Sequence, residues 1–335
     1  MINLLKELCG LNGISGREEN IGSFIMSQIS PFCECSVDNS GNILAFRKGN
    51  KRRGKKLMLC AHMDEVGMVI TAVTDDGLLR FSPVGGIDPR VVFSSRVSVN
   101  GHLGVIGARP VHMVEDASRG DAPAFDDLYI DIGARNKSDA LSTVSLFDAV
   151  TFEGEFTEFG NGLIKAKAID DRVGCAILID LIKSDLAFDT HFAFTVQEEV
   201  GLRGAKTAAY SVDPHTAIVI EATTAADLNG VPEHKKACKV GNGAVLSFMD
   251  NRTIYDKELF DTALELANEH KIKVQIKQLI AGGNDSGVIH TSRGGVKTLA
   301  ISLPCRYLHS PVCVISSEDM KSTAQLAKVM AGREY

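Results

Sequence analysis

The chain has 335 residues, of which 44% are hydrophobic and 23% charged, and its net charge is −6. This balance is typical of a globular protein, and the length favours one large domain plus one smaller domain. The negative charge gives no indication of a nucleic acid partner. No apolar run approaches the ~20 residues that a membrane span needs, so we expect no membrane partner either.

The amino-terminal residues and the cysteines predict a cytoplasmic protein. The start, Met1-Ile2-Asn3-Leu4-Leu5-Lys6-Glu7-Leu8, has the periodicity of a helix and an acidic residue, unlike a signal peptide. The eight cysteines are scattered without zinc-finger spacing, and several lie in apolar runs. This usage indicates reduced thiols in a reducing compartment.

The hydrophobic pattern predicts an α/β chain. Residues 1–65 contain helix-like stretches, short extended runs and a strand at 57–61 that is apolar throughout. After residue 163, helices and apolar strands alternate. The predicted helices are residues 173–183, 257–270 and 317–330, and the predicted strands are residues 190–197, 217–220 and 298–303.

Residues 66–162 have a different character, with little helix periodicity. Short apolar runs, separated by Gly, Pro, Asp and Asn, are typical of strands joined by turns. These runs are residues 66–70, 91–93, 97–99 and 128–132. We therefore predict one domain from residues 1–65 and 163–335, with a small all-β domain inserted at residues 66–162.

Polar residues that follow apolar strands are the first candidates for a site, because ligands bind at the carboxyl ends of strands in open α/β sheets. His62 follows the strand at 57–61, and Asp64 has the spacing of a carboxylate that orients a metal-bound imidazole. Glu198 and Glu199 follow a second apolar strand. Adjacent half-buried carboxylates need cations or solvent, so this pair indicates either a metal site or an exposed acidic turn.

Three further residues extend the pattern. Glu221 follows the strand at 217–220, and His309 lies just beyond the strand at 298–303. Asp170 comes at the start of a predicted helix, where capping alone would favour an aspartate. A carboxylate that projects from such a turn can also bridge two ions.

Together these side chains offer two imidazoles and three carboxylates. Such mixed nitrogen and oxygen ligation suits two divalent ions per subunit, with zinc, cobalt or manganese favoured over calcium. The other histidines do not fit this pattern, and we predict surface or structural roles for them. They are His102, His112, His191, His215, His234, His270 and His290.

Four motifs, in this order, resemble the glutamyl-aminopeptidase family, which includes the tetrahedral aminopeptidases and proteins labelled cellulase M or fructose-operon peptidase-like. The resemblance runs from the first helix to about residue 330. The motifs are Ala61-His62-Met63-Asp64-Glu65-Val66-Gly67, Lys167-Ala168-Ile169-Asp170-Asp171-Arg172-Val173-Gly174-Cys175, Gln197-Glu198-Glu199-Val200-Gly201-Leu202-Arg203-Gly204-Ala205 and Arg306-Tyr307-Leu308-His309-Ser310-Pro311.

The resemblance implies a mixed-sheet, phosphorylase/peptidase-like catalytic domain whose β insertion acts in dimerisation. It also implies homo-oligomers in which dimers assemble into hollow particles of twelve subunits. In this family pattern His62 binds one metal ion, His309 binds the other, and Asp170 bridges them.

The resemblance assigns the remaining candidates as well. Glu199 and Glu221 are the remaining metal ligands, and Glu198 is the general base. Asp64 is the carboxylate that contacts the metal-bound His62 without binding the metal itself. Relatives often have aspartate where this chain has Glu221, and the extra methylene changes its reach.

We therefore predict a metallo-aminopeptidase that removes the N-terminal residue from peptides. Glu198 would take a proton from a water shared by two ions and give it to the leaving amine, while capture of the free α-amine would restrict cleavage to the first residue.

Three alternatives stay open: a two-metal deacylase or dipeptidase, an endoglucanase, and a non-catalytic peptide-binding scaffold. An endoglucanase would leave both histidines, His62 and His309, without a role. Substrate contacts stay unassigned, since the glycine-rich residues 282–287 suit either a pocket or a turn.

Overall fold

The computed structural model describes residues 1–114 and 122–335. The amino-terminal part contains two helices followed by three strands. They are α1 (Ile2–Gly10), α2 (Glu19–Ile29), β1 (Glu34–Val37), β2 (Ile43–Arg47) and β3 (Leu57–His62).

The next part of the chain consists mainly of strands, which close into a barrel in the order β4-β5-β8-β7-β6-β9. Its own core is formed by inward-facing apolar residues such as Met68, Val97, Ile130 and Val150. The elements are β4 (Gly67–Val73), β5 (Leu79–Val84), α3 (Pro89–Val92), β6 (Arg96–Val99), β7 (His102–Ala108), β8 (Leu128–Asp131), α4 (Lys137–Leu141) and β9 (Ala149–Phe152).

After the barrel, helices and strands alternate to the end of the chain. They are β10 (Thr157–Phe159), β11 (Leu163–Ala166), α5 (Ile169–Lys183), β12 (Thr190–Thr195), α6 (Arg203–Val212), β13 (Thr216–Thr224), β14 (Ala244–Leu246), α7 (Lys257–Glu269), β15 (Val274–Ile276), α8 (Ser286–Ile289), β16 (Lys297–Cys305), β17 (Cys313–Ser316) and α9 (Ser317–Ala331).

The main sheet has eight strands in the order β1-β2-β12-β3-β13-β16-β14-β15, and β10, β11 and β17 form a small second sheet. The central strands β12, β3, β13 and β16 are parallel, so their carboxyl ends share one edge. β2 and β14 pair antiparallel to this group. The predicted mixed α/β sheet is therefore confirmed.

Helices cover both faces of the main sheet, which is why its central strands are apolar throughout. In β3, Leu59 packs in the core that includes α5, whereas Met58 and Cys60 pack against α6 on the opposite face. Helix α5 lies almost wholly buried against β3 and β13. Across the described residues, none of the helices combines the length and the apolar character needed to cross a lipid bilayer.

Three element predictions were wrong in detail. Residues 91–93 are not a strand, because the Asp88 side chain caps helix α3, which begins with proline. The strand predicted to reach 197 ends at Thr195, since Gln197 has a positive φ of 55°. β13 continues past 220 to Thr224, so Glu221 lies inside the strand.

The barrel strands run from Gly67 to Phe152, within the segment predicted to be a separate β domain. This segment also contains the short helices α3 and α4, so it is not purely β. Residues 115–121, which belong to the same segment, lie outside the described residues. The boundaries at 66 and 162 and a role of the barrel in dimerisation stay predictions.

Candidate active site

All the residues predicted from strand ends come together at the carboxyl edge of the central parallel strands. Asp170 lies between the two predicted imidazoles: its Oδ1 is 3.2 Å from Nε2 of His62, and its Oδ2 is 3.4 Å from Nε2 of His309. Each imidazole has a second carboxylate neighbour. Glu221 Oε1 lies 3.3 Å from His62 Nε2, and Glu199 Oε2 lies 3.3 Å from His309 Nε2. The cluster is therefore two histidine-carboxylate groups that share Asp170.

The backbone around Asp170 departs from a helix even though α5 begins there. Asp170 (ψ 109°) and Asp171 (ψ 42°) have non-helical dihedrals, and the peptide bond between them is cis. Asp171 Oδ1 accepts a hydrogen bond from the Gly174 amide, as a helix-capping aspartate does. Asp171 thus takes the capping role, which leaves Asp170 available for the predicted bridging role.

A tight turn after β12 presents Glu198 and Glu199. The Gln197 amide, at the positive φ of this turn, donates to a carboxylate oxygen of buried Glu18 at 3.1 Å. Asp64 accepts from the amides of Glu198 at 3.0 Å and Glu199 at 3.2 Å. The turn is therefore held by carboxylates from outside its own strand.

Both imidazoles are oriented through Nδ1, which leaves Nε2 facing the cluster. His62 Nδ1 lies 3.1 Å from the Asp64 carbonyl oxygen and 3.4 Å from its carboxylate Oδ1. His309 Nδ1 lies 2.7 Å from the carbonyl oxygen of Gly86, in the segment that follows barrel strand β5. An Nδ1–H that donates to oxygen fixes the tautomer whose Nε2 can bind a metal.

Several carboxylate oxygens in the cluster are buried without a hydrogen-bond donor among the described residues. Oε1 of Glu199, Oε2 of Glu221 and Oδ2 of Asp171 are of this kind. A buried carboxylate oxygen that lacks a donor is costly unless a cation neutralises it. The donor set, two imidazoles with carboxylates, is the one that zinc and similar divalent ions prefer, so these residues fit a metal pair.

The pKa values reflect the crowding of these charges. Burial, together with the nearby Asp170 charge, raises the pKa of Glu199 to about 7. Burial opposes the charged form of His309, but the hydrogen bond to Asp170 and the Glu199 charge raise its pKa to about 10. Burial likewise raises the pKa of Glu221 well above its usual range. Without metal ions, protons therefore replace them as the counter-charge to the carboxylates.

Two acidic residues that the sequence interpretation did not select also belong here. Asp171 offers an oxygen within the same small cluster as His62 and Glu221. Asp285, which lies in the glycine-rich segment, is buried, accepts from the Thr195 hydroxyl at 2.6 Å, and raises the pKa of Glu198 after the larger effect of burial. An acidic residue within a glycine-rich stretch, Gly282-Gly283-Asn284-Asp285, was the signal that could have identified Asp285.

The remaining histidines are exposed or half-buried, which is consistent with the surface or structural roles predicted for them. His102, His112, His234 and His270 are exposed, and His191, His215 and His290 are half-buried. None of them belongs to the metal-competent groups found among the described residues.

Comparison with known proteins gives the same assignment as the motifs. The family described as M42 glutamyl aminopeptidase matches residues 41–326. A putative aminopeptidase of Acetivibrio thermocellus is 40% identical over 330 residues, which cover 97% of each chain. The lysyl aminopeptidase of Pyrococcus furiosus is 28% identical over 338 residues, covering 98% of this chain and 95% of its own.

Solved structures agree with this result. The aminopeptidase APDkam598 from the archaeon Desulfurococcus kamchatkensis matches with a TM-score of 0.94 and 33% identity, over 99% of this chain and 94% of its own. The Pyrococcus horikoshii TET1 peptidase, described as assembling into a tetrahedron or a large octahedral shell, matches with a TM-score of 0.87 and 35% identity over 98% of each chain. The peptidase-like α/β fold is therefore confirmed.

These matches also decide between the functions left open by the motifs. Peptide hydrolysis is favoured over an endoglucanase and over a non-catalytic scaffold, because the family and the relatives reported above are peptidases. The chain belongs to the M42 glutamyl aminopeptidase family and is an aminopeptidase.

Proposed function

We propose that this aminopeptidase uses two divalent metal ions per subunit, zinc, cobalt or manganese. One ion would be held by His62 and Glu221, the other by His309 and Glu199, with Asp170 shared between them. The observation that carries this proposal is the position of Asp170, which sets one carboxylate oxygen against each imidazole at 3.2 Å and 3.4 Å.

Glu198 is suited to move a proton in this site. When bound, a pair of divalent ions lowers the pKa of a shared water and polarises the scissile carbonyl. Glu198 Oε2 lies 4.0 Å from His62 Nε2, and burial raises the pKa of Glu198 well above its usual range. A base with a raised pKa keeps the proton that it takes from water long enough to give it to the leaving amine.

Asp64 supports both parts of this chemistry without facing the substrate. It is completely buried, it orients His62, and it holds the backbone of Glu198 and Glu199 through two amide hydrogen bonds. The Ser15 hydroxyl donates to the same carboxylate at 2.6 Å. We assign Asp64 a positioning role that couples the base to one metal ligand.

Metal content tests the metal assignment directly. Dialysis against a chelator should remove about two equivalents of metal per subunit and lower the thermal unfolding midpoint, because the folded protein then loses the free energy of metal binding. Restoring zinc, cobalt or manganese at ~100 times its dissociation constant should return about 2.7 kcal/mol per site. Elemental analysis with thermal denaturation measures both quantities, and an unchanged midpoint in metal-free protein would contradict the assignment.

The requirement for a free amino terminus tests the exopeptidase assignment. Aminoacyl reporters with a free α-amine should be hydrolysed, whereas the same reporters with an acetylated amine should lose at least 100-fold in kcat/KM, since amine capture orients the scissile bond. Equal hydrolysis of free and acetylated reporters would favour a deacylase. Dipeptides and tripeptides, compared at equal concentration, separate an aminopeptidase from a dipeptidase.

We further propose a cytoplasmic homo-oligomer that acts on peptides. All eight cysteines are free thiols, which supports a reducing compartment. The likeness to the Pyrococcus horikoshii TET1 peptidase supports assembly of this chain with copies of itself, and a dodecamer built from dimers is the form that we propose.

A further inference from the structure

The backbone amides of the turn after β12 are bound by side chains from distant parts of the chain. Four consecutive amides, those of residues 196–199, each donate to a side-chain oxygen. The acceptors are Asn42 Oδ1 for the first amide, Glu18 Oε1 for the second and the Asp64 carboxylate for the last two. The path of this turn therefore depends on three side chains that lie outside it.

Glu18 binds the turn at a residue whose backbone is strained. Gln197 has φ of 55°, in the left-handed region that residues other than glycine rarely adopt. Such a conformation persists only where the surrounding contacts hold it. The Gln197 amide donates to Glu18 at 3.1 Å, and the Gln197 carbonyl accepts from the Arg203 amide at 3.1 Å. Loss of the Glu18 contact removes one of these two restraints, so we expect the turn to relax.

The carboxylate of Glu18 serves this contact and does not cap its own helix. Glu18 occupies the N-cap position of α2, yet its side chain makes no capping hydrogen bond. Its Oε1 instead accepts two amides, from Gly16 at 2.8 Å and from Gln197 at 3.1 Å. Only 7% of Glu18 is exposed, and a buried carboxylate needs donors to replace its lost hydration. The side chain is therefore fixed between its own loop and the turn after β12.

The loop that carries Glu18, residues 13–18, is itself attached to the segment that follows β3. The Glu65 amide donates to the Gly13 carbonyl at 3.0 Å, and the Gly13 amide donates to the Glu65 carboxylate at 3.0 Å. The Ser15 hydroxyl donates to Asp64, as described above. One short loop therefore joins the segment of the first proposed metal ligand to the turn that presents the proposed base.

We propose that Glu18 is a positioning residue for the reaction, which fixes the orientation of Glu198 through the backbone amide of Gln197. The inference rests on the proposed function, because it takes Glu198 as the base. Among the described residues, those that line the cavity beside the histidine-carboxylate cluster do not include Glu18, so its effect is carried through the backbone. A displacement of about 1 Å can lower a catalytic rate by about 100-fold. We therefore expect Glu18 to affect kcat and not KM.

Two conservative variants separate the length of this side chain from its charge. Glu18→Asp keeps the charge and places a favoured residue at the helix N-cap, so it should fold. It is one methylene shorter, however, which withdraws the acceptor from Gln197. Glu18→Gln keeps the length and an acceptor oxygen but loses the charge.

Steady-state kinetics and elemental analysis of the metal-loaded enzymes measure the difference. We expect Glu18→Asp to lower kcat about 10- to 100-fold, with KM within about threefold and both metal ions retained. Glu18→Gln should keep kcat within about threefold of the wild type, because its oxygen still accepts the Gln197 amide. Glu19→Asp makes the same change at the exposed neighbouring residue and is the matched control, with wild-type kinetics expected.

A double-mutant cycle tests whether Glu18 acts through Glu198. In the Glu198→Gln background the base is already absent, so adding Glu18→Asp should change kcat by less than about threefold. The same loss in both backgrounds would overturn the proposal, as would wild-type kcat in Glu18→Asp.

Three further outcomes are equally decisive. Loss of metal from Glu18→Asp would overturn the proposal, because the damage would then extend beyond the turn. Equal losses of kcat in Glu18→Asp and Glu18→Gln would overturn it too, because the charge and not the reach of the side chain would then matter. A Glu198→Gln enzyme with near-normal turnover would instead contradict the proposed function.

Discussion

Replacing Glu198 with glutamine will lower kcat by about 10²- to 10⁴-fold, the range lost when a general base is removed. Glutamine keeps the size of the side chain but has no carboxylate to take a proton. The Glu198 amide still donates to Asp64 in this variant, since that contact uses the backbone. The protein should therefore fold normally and retain both metal ions, which steady-state kinetics with elemental analysis would establish.

The adjacent residue gives the matched comparison. Glu199→Gln weakens a proposed metal ligand whose Oε2 lies 3.3 Å from His309 Nε2, so we expect it to lose metal from one site as well as activity. Glu198→Gln should lose activity alone. A Glu198→Gln enzyme that holds two metal ions and turns over at a near-normal rate would refute the assignment of Glu198 as the base.

Replacing Glu65 with glutamine will lower the free energy of unfolding by about 3 to 5 kcal/mol, the usual effect of removing one partner of a buried ion pair. Lys167 Nζ lies 2.9 Å and 3.0 Å from the two Glu65 carboxylate oxygens, and Arg172 Nη2 lies 3.4 Å from one of them. All three side chains are buried. Without the carboxylate charge, two buried cations face each other with no anion between them.

Denaturant unfolding of the metal-loaded protein measures this effect. The control is Glu318→Gln, which breaks an exposed pair with Lys321 and should change stability by less than about 1 kcal/mol. A double variant, Glu65→Gln with Lys167→Gln, should recover part of the loss because it removes one unpaired cation. If the single variant is as stable as the Glu318 control, the buried network does not contribute as described.

The strand-end residues were predictable because two simple constraints place them. A fully apolar strand in a parallel sheet has to be central, and the polar side chain at its carboxyl end has to face the same edge as its neighbours. His62, Glu198 and Glu199 follow from this reasoning. Glu221 was expected beyond a strand, yet it lies within β13, because an apolar pattern cannot show that a strand continues past a charged residue.

The buried ion pairs of Glu65 could not be predicted from sequence patterns. Lys167 and Arg172 look like surface residues in the sequence, and only the structure shows them buried around Glu65. Contacts of this kind join distant segments through single side chains, which no local spacing encodes.

The hydrogen bond between His309 and the Gly86 carbonyl joins residues 223 positions apart in the chain. Gly85, next to it, has φ of +88°, and a Cβ atom there would come within 2.8 Å of Val66 Cγ1. A different barrel grafted onto this enzyme would therefore have to preserve the connection between β5 and α3 that carries Gly85 and Gly86. This short connection has to be kept, because the carbonyl of Gly86 positions the imidazole of His309 in the candidate active site.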